Sequence, residues 1–378
     1  MRLLFVSHSL PPLGRPMENV GGMQRAALDL HDGLLAHRGV SATALVLRSP
    51  WNERAYRTPI FLASALREIR SLARQREIDA ILFSSMVTAA LAVPLRRLLR
   101  RSGIVSAAIV NGLDATTTTW PYPHLVRKIF ESVDVALPIS HATAIACEQR
   151  GLSRSRCKVV NLGIRLDRFS PRARVEAREQ LLSIAASHGF PATASPRLIL
   201  SSVGRLVPRK GVAWFVESVM PQLPKDVVYL VAGDGPDRFR IDAAIEQNKL
   251  ESRVKLLGAI SDSELEVLYH GSDLFMMPNV PVANDMEGLG LVMLEAGLTG
   301  TPTIASRLEG IADVVTEGEN GHLVESGNAA GFRDAVMRYY EDADALAEVS
   351  VRARLFTAAR FGWGGVIDRY IEIIGGLR

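Results

Sequence analysis

Short apolar, β-branched runs alternate with helix-length stretches along the whole chain, and no other feature restricts the fold as strongly. In the first half the runs are LLFVS at 3–7, SATALVL at 41–47, AILFS at 80–84, IVSAAIV at 104–110, DVALPI at 134–139 and KVVNL at 158–162. Helical stretches fall between them near 22–37, 62–77, 86–101, 124–132 and 141–150. The second half repeats the scheme with strands at 197–204, 227–233, 254–258, 274–278, 301–306 and 322–325. Its helices are expected near 211–220, 237–249, 262–270, 288–299 and 329–341. Strands that alternate with helices predict βαβ units and a parallel sheet. Such a sheet is covered on both faces, which accounts for runs such as LLFV and VVYLVA that do not alternate in polarity.

The alternation restarts after a polar stretch rich in Ser, Pro and Ala. We therefore expect two doubly wound, Rossmann-like α/β domains, 1–170 and 196–361, joined by a linker at 171–195. Ligand crevices are expected at the carboxyl ends of their strands. The last apolar segment, FGWGGVIDRYIEIIGG, reads as a separate amphipathic helix. The length of 378 residues suits two domains of about 100–200 residues each. With 48% hydrophobic and 22% charged residues, a mainly disordered chain is excluded.

The longest uncharged stretch, 80–95, is shorter than the roughly 18–20 apolar residues of a membrane-crossing helix and carries Ser84, Ser85, Thr88 and Pro94. It reads as a buried strand followed by a helix. MRLLFVSHSLPP turns polar after six residues and has no small-residue cleavage site, which argues against a signal peptide. Two cysteines, Cys147 and Cys157, exclude a disulfide scaffold and a four-cysteine zinc site. Reduced thiols make a cytoplasmic chain the simplest expectation. Charge is uneven: residues 1–165 hold 22 Lys+Arg against 11 Asp+Glu, and residues 166–378 hold 22 against 29. The basic half is expected to meet something anionic, whether lipid headgroups, a phosphorylated substrate or nucleic acid.

Chemistry concentrates in a few strand-to-helix junctions. In NDMEGLGLVMLEAGLTGTP at 284–302, Gly288 and Gly290 let a ligand approach the backbone. The free amides of Gly290, Leu291 and Val292, at the positive end of the following helix, suit a pyrophosphate. Glu287 and Glu295 could each accept two neighbouring hydroxyls of a ribose or hexose; the plain alternative is a capping carboxylate and a surface glutamate. In VGRLVPRKGVAWF at 203–215 a strand ends at Gly204 and the turn carries Arg205 and Lys210. Two fixed cations there can neutralise a diphosphate leaving group, or else be solvated turn charges. VGGMQRAALDL at 20–30 places Gly21 and Gly22 before a helix. Asn111 and Asp114 sit in a polar loop after a strand, and Asp234 either faces the crevice or holds its turn. His8 follows the first strand, and no histidine, cysteine or carboxylate cluster has metal-ligand spacing. A Walker motif, a GxGxxG fingerprint and a GxSxG elbow are all missing.

In this order the segments resemble the retaining glycosyltransferases of family 4, which have the GT-B fold. The resemblance rests on GG-x-x-R at 21–25, NLGIRLDRFSP at 161–171, GRLVPRKG at 204–211, AGDGP at 232–236, LGAISDSELEVLY at 257–269 and EGLGLVMLEA at 287–296. It spans nearly the whole chain. It implies two Rossmann-like domains facing each other across a cleft, with segment 362–378 crossing back onto the first. It further implies that Arg205 and Lys210 hold a donor diphosphate, Glu287 contacts the donor sugar, and Glu295 binds the ribose. Amides at 290–292, with Gly288 and Leu289, would support the phosphates, Ala259 and Ile260 would receive the base, and Gly21 and Gly22 would lie near donor and acceptor. One departure concerns chemistry: where members of the family often carry His-Gly-x-Asp, this chain has Asn111-Gly112-Leu113-Asp114. An asparagine binds a hydroxyl but moves no proton, so acid–base work at 111 is excluded. Leu289 stands where phenylalanine is common.

The implied reaction moves a hexose, with retention, from a UDP- or GDP-type sugar to a saccharide or lipid-linked acceptor in envelope or exopolysaccharide synthesis. It needs no cofactor and no metal. Arg67, Arg70 and Arg74 share a helical face, and LRRLLRR adds Arg96, Arg97, Arg100 and Arg101, so reversible contact with the inner face of the membrane is expected. The plain alternative is a solvated face whose stems cover the core. Two other classes remain: a nucleotide-sugar epimerase on the same fold, and a nucleic-acid-binding protein using the basic half. At 6% Phe, Trp and Tyr the chain lacks an interleaved stacking platform, so nucleic acid is not expected as a partner.

Overall fold

A computed structural model describes residues 1–12, 22–117, 122–191 and 195–378. The chain divides into two compact units, Met1–Arg165 with Phe361–Arg378, and Leu166–Arg360.

The first unit is built on a five-stranded parallel sheet: β1 (Arg2–Leu10), β2 (Ser41–Arg48), β3 (Ala80–Phe83), β4 (Val105–Val110) and β5 (Val135–Pro138) in the order β2-β1-β3-β4-β5. Leu4, Val6, Ile81 and Phe83 pack with Ile129 and Phe130 into one core. Strand order reverses between β1 and β3, where doubly wound sheets open a crevice. The helix Trp363–Gly375 belongs to this unit. Ile164 N–H donates to Phe361 O at 2.8 Å and Trp363 N–H to Ile164 O at 3.2 Å. Gly163 must be glycine there, since a Cβ would stand 2.6 Å from the Trp363 ring.

The second unit holds six parallel strands: β6 (Leu198–Val203), β7 (Val227–Ala232), β8 (Val254–Gly258), β9 (Leu274–Met277), β10 (Thr303–Ser306) and β11 (Gly321–Val324). Their order is β11-β10-β9-β6-β7-β8, so the reversal falls between β6 and β9. The apolar runs are central strands whose residues are nearly all buried, as a sheet covered on both faces requires.

Several expectations need correction. The stretch 171–195 contains the helix Arg174–Ser187, a packed part of the second unit. Its buried residues Ala177, Leu181 and Ala185 recur every four positions in a polar sequence, and Gly271 lets the backbones meet. Arg178 ties it down through Asp273 at 2.6 Å and Pro196 O at 2.6 Å. KVVNL at 158–162 is extended but not a strand: Lys158 and Val160 donate to Ala136 and Pro138 of β5, and only one isolated bridge forms beside them. The helix expected at 62–77 starts at Arg54, and the one at 86–101 is broken into Met86–Ala89 and Ala92–Arg101. The helix Ala343–Phe361 was not anticipated. Its inward face includes Ala353 and Thr357, small or polar residues that weaken the periodic signal, and Thr357 fits only because Gly297 has no side chain.

Candidate active site

The reversal between β6 and β9 brings two loops together. The first, 204–211, leaves β6; the second, 278–290, leaves β9. Gly211 has φ 65°, and a Cβ on it would lie 1.9 Å from Pro278 O. Val280 N–H donates to Arg209 O at 3.0 Å, so the loops are joined through backbone. The loop after β7 closes on the same place. A Cβ on Gly233 would meet Gly204 O at 2.0 Å, and Leu206 N–H donates to Asp234 O at 3.0 Å. Ser202, Gly204, Arg205, Lys210, Met277 and Pro278 line a recess at this point.

Glu287 is the centre of the site. It is 8% exposed, and its Oε2 receives Lys210 Nζ at 2.6 Å, Asn279 Nδ2 at 3.2 Å and the Arg209 guanidinium. Burial opposes the charged form, but Lys210 and Arg209 outweigh it and hold the carboxyl below the ordinary carboxylate range. Arg209 also donates to Asp285 Oδ1 at 2.9 Å. Arg205 is exposed on the wall of the recess. Gly290 takes φ 83°, where a side chain would strike Met293 and Met277, and opens the helix Leu291–Leu298. The first amides of any helix lack intrahelical partners, so those of Gly290, Leu291 and Val292 are available to an anion. Gly288 is approached too closely for a neighbour with a side chain: a Cβ on Gly310 would lie 2.0 Å from Gly288 O. Leu289 is buried.

Other expected residues have other surroundings. Glu295 is buried just over one turn into the helix Leu291–Leu298, accepts from Tyr269 Oη at 2.9 Å and lies 3.8 Å from Arg168 Nε. These partners are distinct from those of Glu287. Asp234 is exposed and accepts from Gly235 N–H at 2.8 Å, so it holds its turn. Ala259 is exposed and Ile260 half-buried between β8 and the helix Asp262–Gly271, which Ser261 and Glu264 cap reciprocally.

In the first unit, His8, Asn111 and Asp114 gather at the carboxyl ends of β1, β3 and β4. His8 Nδ1 lies 3.4 Å from Ser85 Oγ. Burial, aided by Arg54, pushes its pKa down to about 4, so the imidazole is neutral at pH 7. Asp114 Oδ2 accepts from Asn111 N–H at 3.2 Å, Asn111 Nδ2 at 3.0 Å and Met86 N–H at 3.5 Å. The asparagine at 111 thus caps the short helix Gly112–Thr116. Gly22 begins the helix Gly22–Ala36, and Gly21 lies outside the described residues. Arg67, Arg70 and Arg74 are exposed together and line a shallow groove. Arg97, Arg100 and Arg101 are exposed on the helix Ala92–Arg101, and Arg96 is half-buried. No helix of the described residues is long and apolar enough to cross a membrane.

Sequence reasoning missed Arg209, Asn279, Asp285 and Glu309. Arg209 adjoins Lys210 and was visible as a third cation of its turn. Asn279 and Asp285 precede Glu287 in the same loop, whereas Glu309 lies after β10 and carries no local signal.

Comparison with known proteins agrees with this architecture. The family described as "Glycosyl transferases group 1" matches residues 197–342. A putative colanic acid biosynthesis glycosyltransferase, WcaL of Escherichia coli, is 29% identical over 265 residues, 68% of this chain. The chain spans only 61% of that relative's length. The lipopolysaccharide core biosynthesis glycosyltransferase LpsE of Rhizobium meliloti is 26% identical over 362 residues, 94% of this chain and 96% of LpsE. Among solved structures, Anabaena Alr3699/HepE in complex with UDP superposes with a TM-score of 0.72 at 19% identity, covering 100% of both chains. The fold is GT-B, with two parallel-sheet Rossmann-like domains. The matches support a group 1 glycosyltransferase.

Proposed function

We propose that this chain transfers a hexose from a nucleotide diphosphate sugar to a saccharide or lipid-linked acceptor in envelope or exopolysaccharide glycan synthesis. The observation that carries it is the meeting of Lys210 and Glu287 at the β6–β9 reversal, beside the amides of the helix Leu291–Leu298. That place combines fixed cations and free N–H groups for a diphosphate with a buried, ionised carboxylate for sugar hydroxyls. The relatives' names point the same way: colanic acid and lipopolysaccharide core are envelope glycans. UDP in the HepE complex supports a nucleotide donor.

In the proposed mechanism the anomeric carbon loses its bond to the β-phosphate oxygen while the acceptor hydroxyl attacks from the same face. The acceptor's proton passes to the departing diphosphate oxygen, and configuration is retained. Lys210, Arg205 and the amides of 290–292 stabilise the charge that develops on the leaving group. Glu287 orients the sugar, and Glu295, steadied by Tyr269, takes the ribose hydroxyls. The base lies by Ala259 and Ile260. No metal or other cofactor takes part. Neutral His8 with Asn111 and Asp114 forms the acceptor side within the first unit, and Asn111 serves by holding the Asp114 loop.

A thermal-denaturation screen with UDP-, GDP- and ADP-sugars tests the donor. A ligand at 100 times its Kd adds about 2.7 kcal/mol of apparent stability. Stabilisation by one base is expected; no response to any of them overturns the assignment. Incubation with donor alone separates transfer from epimerisation, because only an epimerase would convert the sugar without an acceptor. The anomeric proton coupling of the product reports retention. The arginines at 67, 70, 74, 96, 97, 100 and 101 are proposed to meet an anionic membrane surface at the cytoplasmic face, where a lipid-linked acceptor would lie.

A further inference from the structure

Among the described residues, four that are not glycine have positive φ: Arg76, Lys249, Asn284 and Glu309. Two of these belong to the surroundings of Glu287. Asn284 tolerates the left-handed region by its short polar side chain. Glu309, at φ 50°, has no such excuse. Its long side chain pays a steric penalty that glycine would avoid, and such residues persist where something else holds them.

What Glu309 does with that backbone is visible. Its Oε2 accepts the backbone N–H of Glu287 at 2.5 Å. One residue on, Gly310 N–H donates to Glu287 O at 3.2 Å. The two polar groups of the Glu287 backbone are thus gripped by consecutive residues of the loop after β10. Gly310 also sits where any Cβ would strike Gly288 O, so the grip extends to the start of the Gly288–Gly290 turn. The Glu309 carboxylate is half-buried and faces Arg209, Asp285 and Glu287. Burial and the neighbouring Glu287 charge raise its proton affinity, an unfavourable setting for a purely structural acid.

We propose that Glu309 is a positioning residue for Glu287: from a strained left-handed backbone its carboxylate holds the Glu287 peptide, and so aims the Glu287 side chain at the donor sugar. The proposal rests on the donor site assigned above, and it predicts a loss confined to the sugar. Arg205, Lys210 and the helix amides do not depend on Glu309, so affinity for the nucleotide diphosphate should be unchanged. Affinity added by the sugar should fall, since a misplacement of about 1 Å costs up to about 10²-fold at a reacting centre.

The test uses Glu309→Gly, Glu309→Ala and Glu309→Gln in the full chain, with UDP, UDP-glucose, GDP and GDP-mannose as probes by calorimetry. For wild type, one nucleotide sugar should bind more tightly than its own diphosphate. In Glu309→Gly and Glu309→Ala that ratio should drop about 10-fold while diphosphate affinity holds, and Glu309→Gln, which keeps an acceptor oxygen, should restore most of it. Glu309→Gly should melt above Glu309→Ala, because only glycine relieves the backbone. A wild-type ratio in Glu309→Gly overturns the proposal. Loss of diphosphate and nucleotide sugar binding together, with a melting temperature well below wild type, also overturns it by making Glu309 a structural strut. If wild type binds none of the probes, or does not distinguish sugar from diphosphate, the donor assignment fails first and takes this proposal with it.

Discussion

Lys210 Nζ and Glu287 Oε2 lie 2.6 Å apart although 77 residues separate them in the chain. The contact exists because β6 and β9 are neighbours in the sheet, and because Gly211 allows the loops that follow them to touch. The ammonium and the carboxylate are both largely removed from water, so each needs the other, and a ligand that takes Lys210 must leave Glu287 with Arg209 and Asn279.

Lys210→Ala should therefore cut turnover by roughly 10²–10³, the cost of removing one preorganised electrostatic donor. Glu287 would keep its arginine, so the folded state should survive. Steady-state rates beside a circular dichroism melt check this. Turnover like wild type in a folded variant would remove Lys210 from the mechanism.

Gly211→Ala should destabilise the second unit far more than an ordinary surface change. The new Cβ would stand 1.9 Å from Pro278 O on a backbone at φ 65°. Neither the carbonyl nor the turn can yield without parting the loops, so a loss of about 2–4 kcal/mol is expected. Chemical denaturation measures it; a loss below about 0.5 kcal/mol would mean that the loops separate freely.

His8 makes stability depend on pH in a defined window. Its pKa is about 4 in the folded chain and about 6.5 when unfolded, so the unfolded state binds more protons between these values. Stability is complete above pH 6.5 and is lost as the pH falls towards 4, by up to ~3 kcal/mol. His8→Gln should flatten that part of the melting-temperature profile. An unchanged slope in the variant would place the titration elsewhere.

Membrane contact is open to direct measurement. Wild type should sediment with vesicles containing anionic phospholipid at physiological salt, and replacing Arg67, Arg70 and Arg74 with Gln should weaken binding by about 1 kcal/mol per charge. Absence of wild-type binding would leave these arginines as a solvated face.

Much of the architecture was legible locally. The runs VVYLVA and LFMM announce buried parallel strands because both faces of such strands are covered, and their positions agree with β7 and β9 to within a residue or so. The helix Arg174–Ser187 was missed because its inward residues are mostly alanine, too small to stand out from a polar background. Glu287 and Lys210 could be picked out singly, since each sits where a strand ends and a helix begins. Their pairing could not, and neither could Glu295's separate company of Tyr269 and Arg168.

By itself the amino-acid order determined two doubly wound α/β units and the junctions where chemistry could lie, because strand and helix periodicity, glycines and terminal amides are properties of neighbouring residues. Only the tertiary structure decided which charges meet which. Glu309 reaches the Glu287 backbone from another strand's loop, and Arg209 divides itself between Asp285 and Glu287. Those contacts are set by strand order in the sheet, and strand order is a long-range choice made by packing rather than by any local pattern.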